Sequence, residues 1–315
     1  MSRVSEIKGE DSSPFKIYDL DTLETLKDPE PLIRGVLTRG CVALLFGEYG
    51  TAKSFVALDW AAHLAKGIDW FGYEITGEHR ILYVAAEGAA GLKKRVKAWE
   101  MEYGEIPSDN FHLTRVAVRF GNDQEHYDYL HEMIIKNEYD FIVIDTLSRN
   151  TPGMDENGPD MSEFVERIFT LRDAHSTEKT AFLIVHHAGK DRSKGARGWT
   201  GIPGATDFSY RMSKGSDLLN VFTLSTDRTK DAEPLDEMAF TLKIHVTDKE
   251  WGHTSCTLED ESATSRQQPS TYAESLQAKV DKASEPPWST NDIEEALENL
   301  ELEKGKSKRP RGKRL

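Results

Sequence analysis

The segment GEYGTAKS, Gly47 to Ser54, separates the apolar run CVALLFG (41–47) from the helical pattern FVALDWAAHLAKG (55–67). A glycine-containing loop between a strand and a helix is the context in which phosphate-binding loops occur. Backbone N–H groups in such a loop can surround phosphate oxygens, a lysine can offset phosphate charge, and a hydroxyl can ligate magnesium. The predicted nucleotide-binding residues are Gly47, Glu48, Tyr49, Gly50, Thr51, Ala52, Lys53, Ser54 and Phe55, with Ser54 also a magnesium ligand.

One residue of this loop departs from the usual pattern, G-x-x-x-x-G-K-S/T. Ala52 stands where the pattern has its second glycine. Alanine adds a methyl group where the backbone approaches a phosphate closely. We therefore expect a reduced nucleotide affinity or a reduced rate. The alternative to a phosphate site is an ordinary glycine-containing turn between a strand and a helix.

Outward from the loop, short apolar runs alternate with longer helical patterns. ILYVAAEG (81–88), FHLTRV (111–116), FIVIDT (141–146) and AFLIVHH (181–187) are each typical of a strand buried on both faces of a parallel sheet. This alternation predicts an α/β fold with a mostly parallel central sheet flanked by helices. After residue 215, LLNVFTLSTDR and EMAFTLKIHV predict an antiparallel hairpin at the C-terminal end of the same core.

The composition along the chain predicts four parts. Residues 1–30 form a polar N-terminal arm, 31–257 the α/β domain, 258–288 a flexible linker, and 289–315 a short amphipathic helix followed by a basic tail. The linker is rich in Ser, Thr, Gln, Glu and Pro, and such a segment buries too little apolar surface to order itself. The helix is indicated by apolar residues at helical spacing after an N-capping Ser or Thr.

Acidic and histidine side chains follow the predicted strands at one sheet edge. Asp145 ends FIVID, where a magnesium-binding carboxylate is required, and Glu87 ends ILYVAAE. Because α/β ligands bind at the carboxyl ends of the strands, Glu87 is the candidate general base, although a solvent-facing acid is the alternative. His186 and His187 end AFLIVHH and are candidates for contact with the γ phosphate, with a purely structural role as the alternative.

The charge balance limits the partners of this chain. A net charge of −14 argues against a protein that coats nucleic acid by bulk electrostatics, so any such contact must be local. The segment 188–206 is glycine-rich and basic, which fits contact with a phosphate backbone, while a simple surface loop is the competing interpretation. Its candidate DNA-binding residues are Lys190, Arg192, Lys194 and Arg197. The tail after Glu303 is also basic, and it is either a second contact or a solvated tail without a partner.

The sequence contains no apolar run of the ~18 residues that a membrane helix requires, and its first residues carry no apolar stretch typical of a signal peptide. Cys41 and Cys256 lie far apart and lack metal-ligand spacing. We therefore expect a protein of the reducing cytoplasm without a membrane partner.

Taken in order, GEYGTAKS, YVAAEG, FIVIDT and VHHAGK followed by ARGW resemble the RepA-like branch of the RecA-type P-loop ATPases, which is common among plasmid and phage replication proteins. The resemblance covers about residues 30–250. It implies a RecA-like core, ring or filament assemblies, and action on DNA, often as a replicative helicase. It also implies that Lys53 and Ser54 hold nucleotide and metal and that Asp145 positions magnesium. Glu87 would activate water and His187 would sense the γ phosphate.

The same resemblance implies a cationic finger that a neighbouring subunit inserts into the site. Arg228 and Lys230, in STDRTKD, have the K-x-R spacing of related helicases in reversed order. Arg197 and Arg211 are competing candidates for this role.

These observations predict a magnesium-dependent ATPase that acts on single-stranded DNA as a homo-oligomer, in phage or plasmid replication. A recombination or helicase-loader ATPase would share every motif. A regulatory module that hydrolyses ATP slowly is the alternative from another class, and Ala52 is compatible with it. A small-molecule kinase is less favoured, because no segment is typical of a phosphate-acceptor pocket or lid.

Overall fold

A computed structural model describes residues 19–25, 28–86, 89–121, 123–156, 158–174, 180–187, 201–215, 221–230 and 232–261. The helices are α1 (Leu20–Leu23), α2 (Lys53–Lys66), α3 (Ala89–Tyr103), α4 (Gln124–Asn137), α5 (Leu147–Asn150), α6 (Asp160–Arg172) and α7 (Gly201–Ala205). The strands are β1 (Pro31–Ile33), β2 (Leu37–Thr38), β3 (Val42–Gly47), β4 (Ile81–Ala85), β5 (Phe111–Thr114), β6 (Phe141–Asp145), β7 (Ala181–His187), β8 (Phe208–Lys214), β9 (Phe222–Thr229), β10 (Met238–Asp248) and β11 (His253–Asp260).

Within the described residues, one large sheet has nine strands in the order β11-β10-β9-β8-β3-β7-β6-β4-β5. The strands from β8 to β5 in this order run parallel to one another. β3 lies between β7 and β8, so the loop that follows it leaves from the middle of the sheet. The predicted α/β fold with a mostly parallel sheet is confirmed.

The apolar runs form central strands because both of their faces are covered. On one face, alternate strand residues such as Leu45, Tyr83 and Val143 pack in a core with α2 and α3. On the other, Leu44 and Ile144 pack with α4 and α6. Side chains of a strand alternate between the two faces, so a strand covered on both sides must be apolar throughout.

The segment at 111–116 differs from its prediction of a strand buried on both faces. It forms the short edge strand β5, which pairs with β4 alone among the described strands. Leu113 is 44% exposed, and the residues beside it are only half-buried. An edge strand has a neighbour on one side only, so its apolar residues are covered less than the composition suggested.

The predicted hairpin at the C-terminal end is confirmed as the antiparallel pair β9 and β10. Two strands beside it were not predicted. β8 pairs parallel with β3 and antiparallel with β9, and β11 pairs antiparallel with β10. β11 ends at Asp260, beyond the expected domain end at residue 257. The expected linker from 262 onward, the amphipathic helix and the basic tail lie outside the described residues.

Among the described helices, none is both long enough and apolar enough to cross a membrane.

Candidate nucleotide site

The loop between β3 and α2 begins at Gly47, the last residue of β3, and ends at Ala52, the N-cap of α2. Gly50 and Ala52 both have left-handed backbone angles, with φ of 75° and 60°. An L-residue other than glycine in this region costs roughly 1–2 kcal/mol, because its Cβ approaches the following carbonyl oxygen. The unusual alanine therefore stores backbone strain at the start of the helix, in addition to the methyl group noted from the sequence.

Lys53 is the first residue of α2, and it is only 5% exposed. Its Nζ donates hydrogen bonds to the carbonyl oxygens of Gly47 at 3.0 Å and Glu48 at 2.7 Å. A buried ammonium group requires such acceptors, since desolvation without them costs several kcal/mol. The loop thus curls around the lysine and holds its charge beside the N-terminus of α2, where backbone N–H groups and the helix dipole also favour an anion.

Gly47 lies where β3 and β8 approach each other closely. A Cβ at this position would lie 2.2 Å from the carbonyl oxygen of Met212 and 2.8 Å from Oγ1 of Thr51. Only glycine fits there, because contacts below 3.0 Å do not occur in folded proteins without a backbone shift.

Asp145, at the carboxyl end of β6, meets Ser54 of α2. The Ser54 hydroxyl donates to Oδ1 of Asp145 at 3.2 Å, and Asp145 is only 7% exposed. Two oxygen-bearing side chains, one of them a carboxylate, are the ligand type that magnesium prefers. The donor set therefore fits a magnesium ion that keeps most of its ligands as waters and phosphate oxygens.

Tyr83 of β4 is a site residue that the sequence did not reveal. Its hydroxyl donates to Oδ2 of Asp145 at 2.6 Å. Burial raises the pKa of the Tyr83 hydroxyl well above its usual value, and the nearby Asp145 charge adds to this effect. The phenol consequently remains a donor throughout the neutral range. A usable signal was the polar tip of a tyrosine inside the apolar run ILYVA, since such a group needs a buried partner.

A small cavity of about 90 Å³ opens beside these groups. Ser54, Tyr83 and Asp145 line it together with Arg95 of α3. The Arg95 guanidinium carbon lies 4.9 Å from the centre of the Phe55 ring, a distance typical of a cation–π contact. Arg95 therefore adds positive charge to the same edge of the sheet, and sequence reasoning did not select it.

The two histidines end β7, directly beside β3. His186 pairs in register with Phe46 and is 1% exposed, whereas His187 pairs with Gly47 and is half-buried. The His187 ring lies 6.1 Å from that of Tyr49, a loop residue that is 91% exposed. His187 therefore lies next to the start of the loop, while His186 is enclosed by the fold.

Of the candidate finger residues, Arg211 lies on β8, Arg228 near the end of β9, and Lys230 directly after β9. Arg228 pairs in register with Ser209, and Lys230 forms an ion pair of 3.8 Å with Asp207. Both residues lie near the amino end of β8. The chain's own phosphate loop lies at the opposite end of these strands, beside the carboxyl end of β3. Arg211 packs over Phe46 and forms a 3.2 Å ion pair with Asp227.

Some predicted site residues lie outside the described part of the chain. They are Glu87, Lys190, Arg192, Lys194 and Arg197. Among the described residues, no group of three or more His, Cys, Asp or Glu side chains has the arrangement of a metal site. A magnesium ion held by Ser54 and Asp145 would therefore need further ligands.

A family model described as an AAA domain matches residues 12–193 of the chain. A solved KaiC-like protein from the hyperthermophilic archaeon Pyrococcus horikoshii OT3 is 12% identical, with a TM-score of 0.51 over 74% of this chain and 98% of that one. The RadB recombinase is 13% identical, with a TM-score of 0.49 over 65% of this chain and 88% of that one. Among curated proteins, no match is found.

Proposed function

Because this chain belongs to the AAA domain family and has the fold of a RecA-like P-loop ATPase, we propose that it hydrolyses ATP with magnesium and acts on single-stranded DNA. The observation that supports hydrolysis most directly is the convergence of Lys53, Ser54 and Asp145 at one sheet edge. A lysine, a hydroxyl and a strand-end carboxylate are the groups that phosphoryl transfer from a nucleotide requires.

In this proposal, Lys53 leaves the carbonyl oxygens of Gly47 and Glu48 and donates to the β and γ phosphates instead. Ser54 and Asp145 would hold the magnesium ion, which when bound neutralises charge on the phosphate oxygens. Tyr83 keeps Oδ2 of Asp145 occupied, so Oδ1 is directed toward Ser54.

The reaction is a transfer of the γ phosphoryl group to water. The bond between the γ phosphorus and the bridging oxygen breaks, a bond to the water oxygen forms, and ADP leaves with that bridging oxygen. We assign the acceptance of the water proton to Glu87, which follows β4 in the sequence. His187, beside Gly47, is assigned the contact with the γ phosphate.

Action on DNA is proposed from the RepA-like motif order and from the basic residues of segment 188–206. Lys190, Arg192, Lys194 and Arg197 would contact the phosphate backbone. Arg228 and Lys230 lie away from their own phosphate loop, so they suit a finger only for the site of another copy. This geometry favours a homo-oligomer. The activity of a phage or plasmid replicative helicase is proposed from the motif order alone.

The strained Ala52 favours a second candidate, a nucleotide-binding module that hydrolyses ATP slowly and regulates a partner. If the backbone strain at Ala52 must increase further when nucleotide binds, the rate of hydrolysis is reduced.

Steady-state ATP hydrolysis with and without single-stranded DNA distinguishes the two candidate functions. Stimulation by DNA supports the first candidate, and slow hydrolysis that DNA leaves unchanged supports the second. Strand displacement on a forked DNA then distinguishes a helicase from a recombination or loader ATPase.

A further inference from the structure

A second cavity, of about 500 Å³, lies at the carboxyl ends of β4 and β6. Two arginines, Arg119 and Arg149, line it, and Ala86 and Pro152 contribute apolar surface. Ala86 follows β4, and Arg149 belongs to α5, which begins two residues after Asp145. The cavity therefore shares the sheet edge of the nucleotide site, but it is lined by other residues. We call it the arginine cavity.

Arg119 is held there in a strained conformation. Its φ of 50° lies in the left-handed region, and its side chain is exposed between the buried residues Val118 and Phe120. An outlier of this kind persists only where neighbours fix the backbone, and it occurs most often at functional sites. Glycine would satisfy the backbone without strain, so the arginine points to a role for its guanidinium group.

Asn150 connects both sides of the arginine cavity. Its Oδ1 accepts from the Val118 N–H at 2.9 Å, and its carbonyl oxygen accepts from the Phe120 N–H at 2.8 Å. Its Nδ2 donates to the carbonyl oxygen of Thr146 at 2.8 Å, the residue after Asp145. Asn150 is fully buried, so these bonds fix the segment around Arg119 to the end of the strand that carries Asp145.

Among the described residues that line the arginine cavity, the acidic side chain is that of Asp123. Asp123 caps α4, where its carboxylate accepts from the His126 N–H at 3.2 Å and lies 3.6 Å from the His126 ring. The cavity thus combines two guanidinium groups with a carboxylate that also serves a helix end.

We propose that Arg119 and Arg149 bind a phosphodiester group of single-stranded DNA in the arginine cavity, which rests on the proposed action on DNA. Guanidinium groups match phosphate oxygens in pairs of parallel hydrogen bonds. The volume falls within the range that holds a small ligand such as one nucleotide unit. Because Asn150 ties this surface to Thr146, a strand bound there contacts the same rigid unit as Asp145.

The test measures binding of a fluorescent oligothymidylate to Arg119→Gly, Arg149→Gln and the double variant at several salt concentrations. Glycine removes the guanidinium group and suits the backbone at position 119, so this variant keeps its fold. We expect the Kd to rise about tenfold for each substitution. The slope of log K against log salt should fall by about 0.7 for each phosphate contact removed. Arg80→Gln, at the other end of β4, is the matched control and leaves DNA affinity unchanged.

Two results would overturn the inference. In the first, the parent protein binds DNA and its hydrolysis responds to DNA, and the double variant binds DNA with the same affinity. This result would exclude the arginine cavity as a DNA site and leave the proposed function intact. The second result comes from parallel titrations with ADP and with inorganic phosphate, which test whether the arginine cavity binds a free nucleotide or phosphate and not DNA. If the double variant loses ADP or phosphate binding as strongly as DNA binding, the cavity holds a free nucleotide or phosphate instead. A parent protein that binds no DNA at all contradicts the inference and the DNA part of the proposed function together.

Discussion

The Tyr83 hydroxyl and the Asp145 carboxylate form a buried hydrogen bond of 2.6 Å between two neighbouring parallel strands. The bond uses Oδ2, so the oxygen that faces Ser54 is Oδ1. A carboxylate fixed in this way loses little rotational freedom when it gains a further ligand. Tyr83 is thus a positioning residue for the proposed magnesium site.

Tyr83→Phe should raise the magnesium concentration needed for half-maximal hydrolysis by about tenfold, the usual loss when an outer partner of a metal ligand is removed. Nucleotide affinity measured without magnesium should stay within about twofold, because the phenol hydrogen-bonds to the carboxylate proposed to hold the metal. Tyr139→Phe is the matched control, since its hydroxyl bonds to His112 of the edge strand β5. Equal magnesium requirements in the two variants would leave Tyr83 with a structural role only.

Ala52→Gly should relieve the left-handed strain of roughly 1–2 kcal/mol. Glycine also increases the entropy of the unfolded chain, which costs about 0.4–1 kcal/mol. The difference favours the variant by about 0–1.6 kcal/mol, and we expect faster ATP hydrolysis with it. Denaturant unfolding and steady-state kinetics measure both effects. Ala61→Gly, in the middle of α2, should instead destabilise by about 1 kcal/mol or more. Similar losses in both variants would show that Ala52 is not strained.

Lys53→Ala should abolish tight ATP binding, because it removes the charge that offsets the β and γ phosphates. Equilibrium binding of a fluorescent ATP analogue measures the loss, which we expect to exceed a hundredfold. Lys66→Ala removes the same charge from the last turn of α2, where its Nζ bonds to the Glu105 carbonyl, and it should bind normally. Unchanged affinity in Lys53→Ala would remove the phosphate-loop assignment.

The carboxyl group of Asp140 should make the free energy of unfolding depend on pH in the acidic range. Burial acts to raise the pKa of this carboxyl, but hydrogen bonds from His79, the Arg80 N–H and Arg39 outweigh it and lower the pKa to about 2 from 3.8. The ionised form therefore stabilises the fold above about pH 4, and this contribution is lost as the pH falls toward 2.

Asp140→Asn should lower the free energy of unfolding near neutral pH by about 1–2 kcal/mol, after an allowance for solvent screening. It should also flatten the dependence of stability on pH between 4 and 2. Urea unfolding at a series of pH values measures this. Asp109→Asn, at an exposed turn, serves as the control. A slope that stays as steep as in the wild-type protein would assign the acid sensitivity to other carboxyls.

The basic segment and the basic tail make different predictions for DNA. Replacing Arg192 and Lys194 with alanine should remove the stimulation of hydrolysis by DNA, because a loop after β7 would face the strand in a ring or filament. Deleting residues 304–315 should mainly weaken salt-sensitive binding. Hydrolysis and DNA binding at two salt concentrations distinguish the variants. Full stimulation in the loop variant with loss in the tail deletion would make the tail the DNA-engaging element.

The parallel core could be predicted from the sequence because its strands are continuous apolar runs beside a recognisable loop. β8 and β11 could not, since FSYRMSK and HTSCTLED alternate or mix polar residues, and their pairing depends on distant strands. The Tyr83 contact was likewise hidden, because its partner lies 62 residues away along the chain. Lys53, Ser54 and Asp145 could be predicted because each lies at or after the end of a strand that the sequence itself indicates.

The close approach of Gly47 to the carbonyl oxygen of Met212 affects how genetic variation at this residue should be interpreted. Any side chain at position 47 would push β8 away from the central strand, whether or not nucleotide is present. A loss-of-function allele there is therefore ambiguous between a defect in ligand contact and a defect in folding yield. Abundance in the cell must be measured before such an allele is counted as a nucleotide-binding mutant.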